Sequence, residues 1–306
     1  MKVLMITGDR RIFERDTEAH TRFKLQQGAV EELKAVFWGK GALVTPLLIS
    51  GKFDVVTSQD PFWRGLVAWF LARRLGARLN IQVHTDFEAE ARAKPIRRIL
   101  GQFILRHADS VRVVSEKIKR QIERYTQVRI KILPVFLDLE KFRHGTRQEH
   151  PSKNILWVGR LEGEKNPLEA IAVLKKVRQA GIDAKLIMLG KGALENEVSR
   201  RAEGLRVEIL GWKADPAPYL EVADVVLCTS KYESFGASIV EALAAGVPVV
   251  APDVGVAREA GAIVVPRERL AETVIEMLQS TRPIRGELKL KTLSREEWAK
   301  RWRETL

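Results

Sequence analysis

The sequence predicts an α/β protein built as two tandem doubly wound, Rossmann-like domains with an interdomain cleft. Three observations carry this expectation. Short apolar runs rich in β-branched residues alternate with amphipathic stretches of helical length along most of the 306 residues, the pattern of parallel sheets covered on both faces. The alternation stops at the polar stretch Arg143–Lys153, which contains Gly145 and Pro151, and then restarts. Several strand ends in the second half carry glycine beside charged residues, and doubly wound pairs bind ligands at the carboxyl ends of their strands.

Taken in order, the strands of the first half are expected at Lys2–Thr7, Leu33–Trp38, Phe53–Ser58, Arg78–His84, Ser110–Ser115 and Arg129–Val135. Amphipathic stretches such as Gly65–Leu75, Ile96–Ala108 and Glu116–Tyr125 lie between them. In the second half, strands are expected at Asn154–Val158, Lys185–Leu189, Val207–Leu210, Asp224–Thr229, Val247–Ala251 and Ala262–Val265. These spans divide into a first domain over 1–145, a second over 146–290, and a terminal segment over 291–306. In the last helix, Arg295–Leu306, Trp298 and Trp302 stand four residues apart and share a face. That face needs a partner, and the first domain is the candidate.

Composition narrows the class. The 45% apolar and 30% charged residues are ordinary for a globular protein. One cysteine, Cys228, rules out an internal disulfide framework or a cysteine metal site and points to a reducing compartment. A strand-like Lys2–Thr7 leaves no room for a leader, and the apolar run near Leu66–Ala72 is too short to span a bilayer. A cytoplasmic protein, soluble or peripheral on the inner face of the membrane, is expected. Residues 1–150 hold 28 Lys/Arg against 17 Asp/Glu and so carry +11 of the total +13. An anionic partner and simple solubility both account for such a field. No nucleic-acid recognition signature is present and aromatics are not interleaved with the arginines, so nucleic acid is not expected.

The chemistry concentrates in the second half. Ser230–Pro252 runs from a strand end through Glu233 to Phe235, Gly236 and Ala237, then along a helix to Gly246 and a further strand. Glycine at a helix start lets backbone approach a ligand, and the free N–H groups there suit a phosphate. Glu233 before this helix and Glu241 within it can bind sugar and ribose hydroxyls through charge-assisted hydrogen bonds. Capping accounts for part of the same pattern, since Ser238 and Glu241 have capping-box spacing. Arg160 and Lys165, five residues apart after the domain's first strand, can neutralise a diphosphate, although Glu162 and Glu164 also make a mixed-charge loop there. Gly190, in Leu189–Gly192, and Gly211-Trp212 end the next two strands. Their agreement on one sheet edge outweighs any single match.

These residues resemble family 4 of the retaining glycosyltransferases, the glycosyl group 1 enzymes of GT-B fold. Glu233 and Glu241 reproduce the two glutamates of that family, and Glu233–Gly236, Glu241-Ala242 and Gly246–Val250 follow its surrounding pattern. Gly159–Leu161 with Lys165-Asn166 is similar to its diphosphate-binding arginine and lysine, and Leu189–Gly192 to its glycine loop. Asp60-Pro61, His84, Pro134, Asp138 and Phe142 fall in the family's order in the first half. The resemblance implies that His84 approaches the donor sugar; a strand-end histidine beside the capping residues Thr85 and Asp86 is the plainer alternative. It also carries donor binding to Gly8, which stands alone before Asp9-Arg10-Arg11 where the family has paired glycines.

What the resemblance implies is transfer of a sugar from a nucleoside diphosphate to an acceptor hydroxyl with retention, in cell-surface glycan or glycolipid synthesis. Glu233, His84, Arg160 and Lys165 would be catalytic. Gly8, Gly190, Gly211, Trp212, Phe235, Gly236, Ala237 and Glu241 would bind the donor. No cofactor is expected, and no metal, because no Asp-x-Asp cluster stands at a strand end. The alternative is a non-catalytic sugar-nucleotide-binding subunit of a glycosyltransferase complex. The partners expected are a nucleotide sugar, a glycan or lipid-linked acceptor, and an anionic membrane surface. The membrane expectation rests on Ala91–Ala108, where Arg92, Lys94, Arg97, Arg98 and Arg106 surround Ile96, Ile99, Leu100, Phe103 and Ile104. A helix packed on its own sheet with solvated arginines explains the same pattern.

Overall fold

A computed structural model of the chain describes residues 1–15, 17–39, 49–143, 152–282 and 284–306. The chain forms two compact units, one of Met1–Phe136 with Thr292–Leu306 and one of Leu137–Lys291. The boundary expected at residues 145/146 lies outside the described residues.

In the first unit, β1 (Lys2–Thr7), β2 (Glu32–Phe37), β3 (Val55–Ser58), β4 (Arg78–Val83), β5 (Ser110–Val113) and β6 (Ile130–Ile132) form a parallel sheet in the order β2-β1-β3-β4-β5-β6. The helices are α1 (Glu18–Gly28), α2 (Trp63–Leu75), α3 (Phe87–Ala93), α4 (Pro95–Arg106) and α5 (Glu116–Ile122). Four of the five begin where the local chemistry allows: Thr17, Asp86 and Ser115 cap α1, α3 and α5 with side-chain oxygens, and Pro95 opens α4. Ala91–Ala108 is therefore two helices, because Pro95 cannot continue α3 and Lys94 before it is extended.

The second unit holds α6 (Glu140–Arg143), β7 (Lys153–Val158), α7 (Pro167–Gln179), β8 (Ala184–Leu189), α8 (Glu195–Ala202), β9 (Val207–Ile209) and α9 (Ala217–Glu221). Beyond them come β10 (Val225–Leu227), α10 (Ala237–Ala244), β11 (Val249–Ala251), α11 (Ala257–Ala260), β12 (Ile263–Val264) and α12 (Leu270–Gln279). Its parallel sheet runs β12-β11-β10-β7-β8-β9. The chain leaves the central β7 toward β8 and β9, then returns to the other side with β10, β11 and β12. The strand order thus reverses between β7 and β10, and open α/β sheets bind ligands at the carboxyl ends beside such a reversal. Ile155, Trp157, Leu174, Leu186, Val225 and Val250 lie in one fully or nearly fully buried cluster that holds these strands and α7 together.

The terminal helix α13 (Arg295–Thr305), capped by Ser294, belongs to the first unit. Trp298 and Trp302 are buried there with Met5, Phe23 and Phe136. The Trp298 indole donates to the carbonyl of Pro134 at 2.9 Å. Among the described residues no helix is long and apolar enough to cross a membrane.

Candidate active site

Of the residues singled out in the second half, Lys165 and Glu233 meet at the reversal between β7 and β10. The loop after β7 supplies Arg160 and Lys165, and the loop after β10 supplies Ser230 and Glu233. Lys165 Nζ makes an ion pair with Glu233 Oε1, and Ser230 Oγ donates to the same oxygen at 2.8 Å. The lysine and glutamate side chains are 20% and 11% exposed, so water screens the pair far less than it would at the surface. Cys228, at the end of β10, is buried; that burial, and then the negative Glu233, push its thiol up, so it stays protonated.

Several bonds hold the two loops in place. Trp157 of β7 donates from its indole to Thr229 Oγ1 at 2.9 Å, and that hydroxyl lies 2.9 Å from the carbonyls of both Lys165 and Asn166. Asn166 takes the left-handed conformation (φ 51°) immediately before Pro167 opens α7. Arg267, from the turn before α12, reaches across: it donates to the Thr229 carbonyl at 2.9 Å and to the Ser230 carbonyl, and pairs with Glu169 of α7. One fork thus fixes the backbone on which Glu233 is carried. Thr229, Ser230, Glu169 and Arg267 were not singled out in the sequence; an arginine in a turn after a strand has no local signature.

Arg160 has a different setting. Its side chain is 71% exposed and pairs at 2.6 Å with Glu164. The interaction is of the kind that contributes little to stability, which leaves the guanidinium able to exchange partners. The glycines after β8 have a backbone reason. A Cβ on Gly190 would stand 1.7 Å from the Gly159 carbonyl oxygen, and one on Gly192 2.5 Å from that of Leu161. Gly190 N–H donates to the Gly211 carbonyl at 2.8 Å, so the loops after β7, β8 and β9 are laced together. Trp212, beside them, is 67% exposed.

Gly236 caps α10 in the left-handed region (φ 93°), without a side-chain cap. The N-cap therefore lies two residues before Ser238, and the capping-box reading of Ser238 and Glu241 falls away. Glu241 is buried in the second turn. Phe235 is buried too, and its carbonyl accepts the Val256 N–H at 2.9 Å. What this loop offers a ligand is the backbone around Gly236 and Ala237 rather than the phenyl ring.

Gly8 and His84 lie in the first unit, after β1 and β4. A Cβ on Gly8 would meet the Arg64 guanidinium at 2.0 Å; that group passes over the glycine to bond the Trp38 carbonyl at 3.2 Å and Asp60 at 2.7 Å. Nε2 of His84 and Oγ1 of Thr85 are both buried without a hydrogen-bond partner. Burial first, and then the positive Arg112 and Arg22, hold the His84 imidazole well below its usual range, so the ring is neutral near pH 7. The capping of α3 is done by Asp86 rather than Thr85, with Asp86 Oδ1 accepting from Ala89 N–H at 3.0 Å. Among the described residues, no three His, Cys, Asp or Glu side chains gather where they could hold a metal ion.

Family models match both units: "Glycosyl transferase 4-like domain" over residues 8–135 and "Glycosyl transferases group 1" over residues 152–280. The chain is 31% identical over 153 residues to the GDP-mannose-dependent alpha-(1-6)-phosphatidylinositol dimannoside mannosyltransferase of Mycobacterium tuberculosis, covering 46% of this chain and 40% of that one. It is 25% identical over 228 residues to the alpha-monoglucosyldiacylglycerol synthase of Streptococcus pneumoniae, covering 65% and 52%. The chain spans about half the length of the curated relatives it matches. Among solved structures it is similar to sucrose-phosphate synthase from Thermosynechococcus elongatus (TM-score 0.74, 17% identity, covering 100% and 94%) and to Anabaena HepE in complex with UDP and glucose (TM-score 0.71, 16% identity, covering 99% and 95%). With two six-stranded parallel α/β sheets and both family models matched, the chain belongs to the group 1 glycosyltransferases, family GT4, of GT-B fold.

Proposed function

We propose that the chain transfers a sugar, with retained configuration, from a nucleoside diphosphate to an acceptor hydroxyl. The observation that carries this is the Lys165–Glu233 pair at the reversal between β7 and β10. Breaking the glycosidic bond develops charge of both signs, negative on the departing diphosphate and positive on the anomeric carbon. A partly buried cation beside a carboxylate is complementary to both, and groups already in place need no reorganisation as the charge forms. Lys165, Arg160 and the start of α10 at Gly236 would stabilise the diphosphate. Glu233 would hold the sugar hydroxyls and favour positive character at the anomeric carbon, and Glu241 would accept from the ribose. Gly190, Gly211, Trp212, Phe235 and Ala237 would line the donor's path by backbone or surface contact. The role carried to His84 is one hydrogen bond to a hydroxyl, which a neutral imidazole can make. With these cations supplying the charge, transfer is expected without a metal.

A glycan or lipid-linked acceptor, met at an anionic membrane surface, completes the reading. The charge of the first half supports it, and two relatives carry lipids in their names. The test is a panel of nucleoside-diphosphate sugars assayed for released nucleoside diphosphate, with and without EDTA. Release from at least one donor, undiminished by EDTA, is expected. Donor binding without release would make the chain a non-catalytic sugar-nucleotide-binding subunit, and loss of release in EDTA would overturn the metal-free mechanism.

A further inference from the structure

The two cations of the loop after β7 each rest on a carboxylate, Lys165 on Glu233 and Arg160 Nη2 on Glu164 Oε1 at 2.6 Å. Glu233 has a task in transfer, since it would take the sugar hydroxyls. Glu164 has no such task. Its side chain is 21% exposed, against 71% for the arginine it holds. Its backbone carbonyl accepts the Lys231 N–H at 2.7 Å, which ties it to the loop after β10 and limits how far its carboxylate can move. Glu162, the other acid between the two cations, is engaged elsewhere. Its Oε1 accepts the Ala193 N–H at 2.9 Å and so fastens the glycine loop after β8.

A guanidinium carries several N–H donors in one planar fork. Among the described residues Arg160 gives one of them, to Glu164, so a phosphate can bond the fork while the carboxylate keeps its own contact. Two anions sharing a fork stand well inside the screening length of about 8 Å at physiological salt. They repel, and the repulsion grows with the charge on the phosphate. That charge changes during transfer. In a nucleotide sugar both phosphates are diesters and singly charged. Once the sugar has left, the terminal phosphate ionises a second time near pH ~6, which adds about one negative charge at neutral pH. A site of cations alone would therefore hold the product more firmly than the donor.

We propose that Glu164 is a positioning residue for product release: by sharing the Arg160 fork it lowers affinity for the nucleoside diphosphate more than for the nucleotide sugar. This rests on the reading of the second unit as the donor site, with Arg160 on the diphosphate, and says how that site empties. Glu164 meets no reacting atom and acts through Arg160. As the product leaves, the Arg160–Glu164 pair closes again. A carboxylate that merely steadied Arg160 for phosphate would act on both ligands alike, and in the opposite sense.

The experiment is calorimetric titration of the full chain, without acceptor, using UDP, GDP, ADP and dTDP, each beside its glucose ester. Wild type, Glu164→Gln and Glu164→Asp are compared. In Glu164→Gln the nucleoside diphosphate is expected to bind about fivefold more tightly, the upper end of what an exposed ion pair is worth, and its sugar ester about twofold. Glu164→Asp keeps the charge on the loop and should retain the wild-type ratio of the two dissociation constants. Melting temperature should not move, because so exposed a pair adds little to stability. Equal tightening of both ligands, weaker binding of both, or a Glu164→Asp ratio like that of Glu164→Gln would overturn the proposal. Binding of none of the probes would overturn it together with the transferase reading. Nucleoside-diphosphate release, followed on the same preparations, keeps the two apart. The expected shift in ratio without release counts against the transferase alone, and release with an unmoved ratio counts against Glu164 alone.

Discussion

The two units share an architecture and differ in what their central strands bury. In the second unit, β7, β10 and β11 place Ile155, Leu156, Val225–Leu227 and Val249–Ala251 in the interior, and the polar chemistry is confined to strand ends. In the first, β3, β4 and β5 bury Thr57, Ser58, Asn80, Gln82 and Arg112. All of these but Ser58 form a chain of bonds. Gln82 donates to Thr57 at 2.9 Å, Thr57 to Asn80 at 2.7 Å, and Arg112 to Gln82 at 2.6 Å and to the Leu133 carbonyl at 2.9 Å. The chain continues into the terminal segment, where Asn80 reaches the Thr305 carbonyl at 2.9 Å and Trp302 reaches Gln82 at 3.3 Å. Burial of polar groups is costly unless each finds a partner. The contrast teaches that one sheet is closed mainly by apolar packing, with its polar bonds at the strand ends. The other specifies, through directional bonds, which helix covers it.

The largest effect is expected where that contrast is broken outright. Arg112→Ala removes both donors that Arg112 gives the Leu133 carbonyl and one each from Gln82 and the Pro134 carbonyl, and opens a cavity, costing about 3–5 kcal/mol. Hydrogen exchange should then rise in β4, β5 and α13 while β7 and β10 stay protected; equal loss in both units would refute the division. Burial, with the positive Arg22, pulls the Arg112 guanidinium down to about 9, so it remains charged at neutral pH and its loss is that of a cation.

Glu233→Gln tests the other side of the comparison, where polar groups serve chemistry and not packing. Turnover should fall by about two to three orders of magnitude, the scale of losing one preorganised electrostatic group, with no change in melting temperature. Near-normal turnover would remove Glu233 from the mechanism. A smaller effect is expected from Arg267→Ala, about tenfold to a hundredfold in kcat/KM, because only the backbone under Glu233 is released. Arg267→Lys should restore little, since one ammonium cannot serve two carbonyls and a carboxylate in the geometry of the fork. Full rescue by lysine would show that charge alone matters there.

The smallest effect is a pH dependence confined to the first unit. The folded-state value of His84 lies below the 6.5 of an unfolded histidine, so the stability it contributes is complete above pH 6.5 and is lost as pH falls from there. His84→Gln should flatten that decline in melting temperature between about pH 6.5 and 5. An unchanged profile would mean that the ring is not desolvated.

Much of the fold was legible because periodicity is local. Each of the twelve expected strands has its counterpart, with ends that agree to within three residues, as in Val225–Leu227 for the expected Asp224–Thr229. Local chemistry also marks the break at Pro95, which governs how Ala91–Ala108 divides, although amphipathic spacing read across it suggested one face. At the site, strand-end glycines and charges pointed to Glu233, Lys165 and Gly236. Their wiring could not be read. Lys165 and Glu233 are 68 residues apart, Arg267 and Thr229 are 38 apart, and nothing in either segment names its partner.

By itself, then, the sequence determined the strand and helix pattern, the glycine-lined strand ends of the second half and the cationic bias of the first, since each follows from neighbours within a few turns. The tertiary structure alone decided that Lys165 faces Glu233 while Arg160 stays at the surface with Glu164, and that Arg267 carries the loop between β10 and α10. It also decided that Ile99 is outside and Ile104 inside on one helix, because burial depends on what packs against each face. Side-chain partnerships are set by strand order and by which loops share a sheet edge, and those contacts form only once the chain has crossed over and returned.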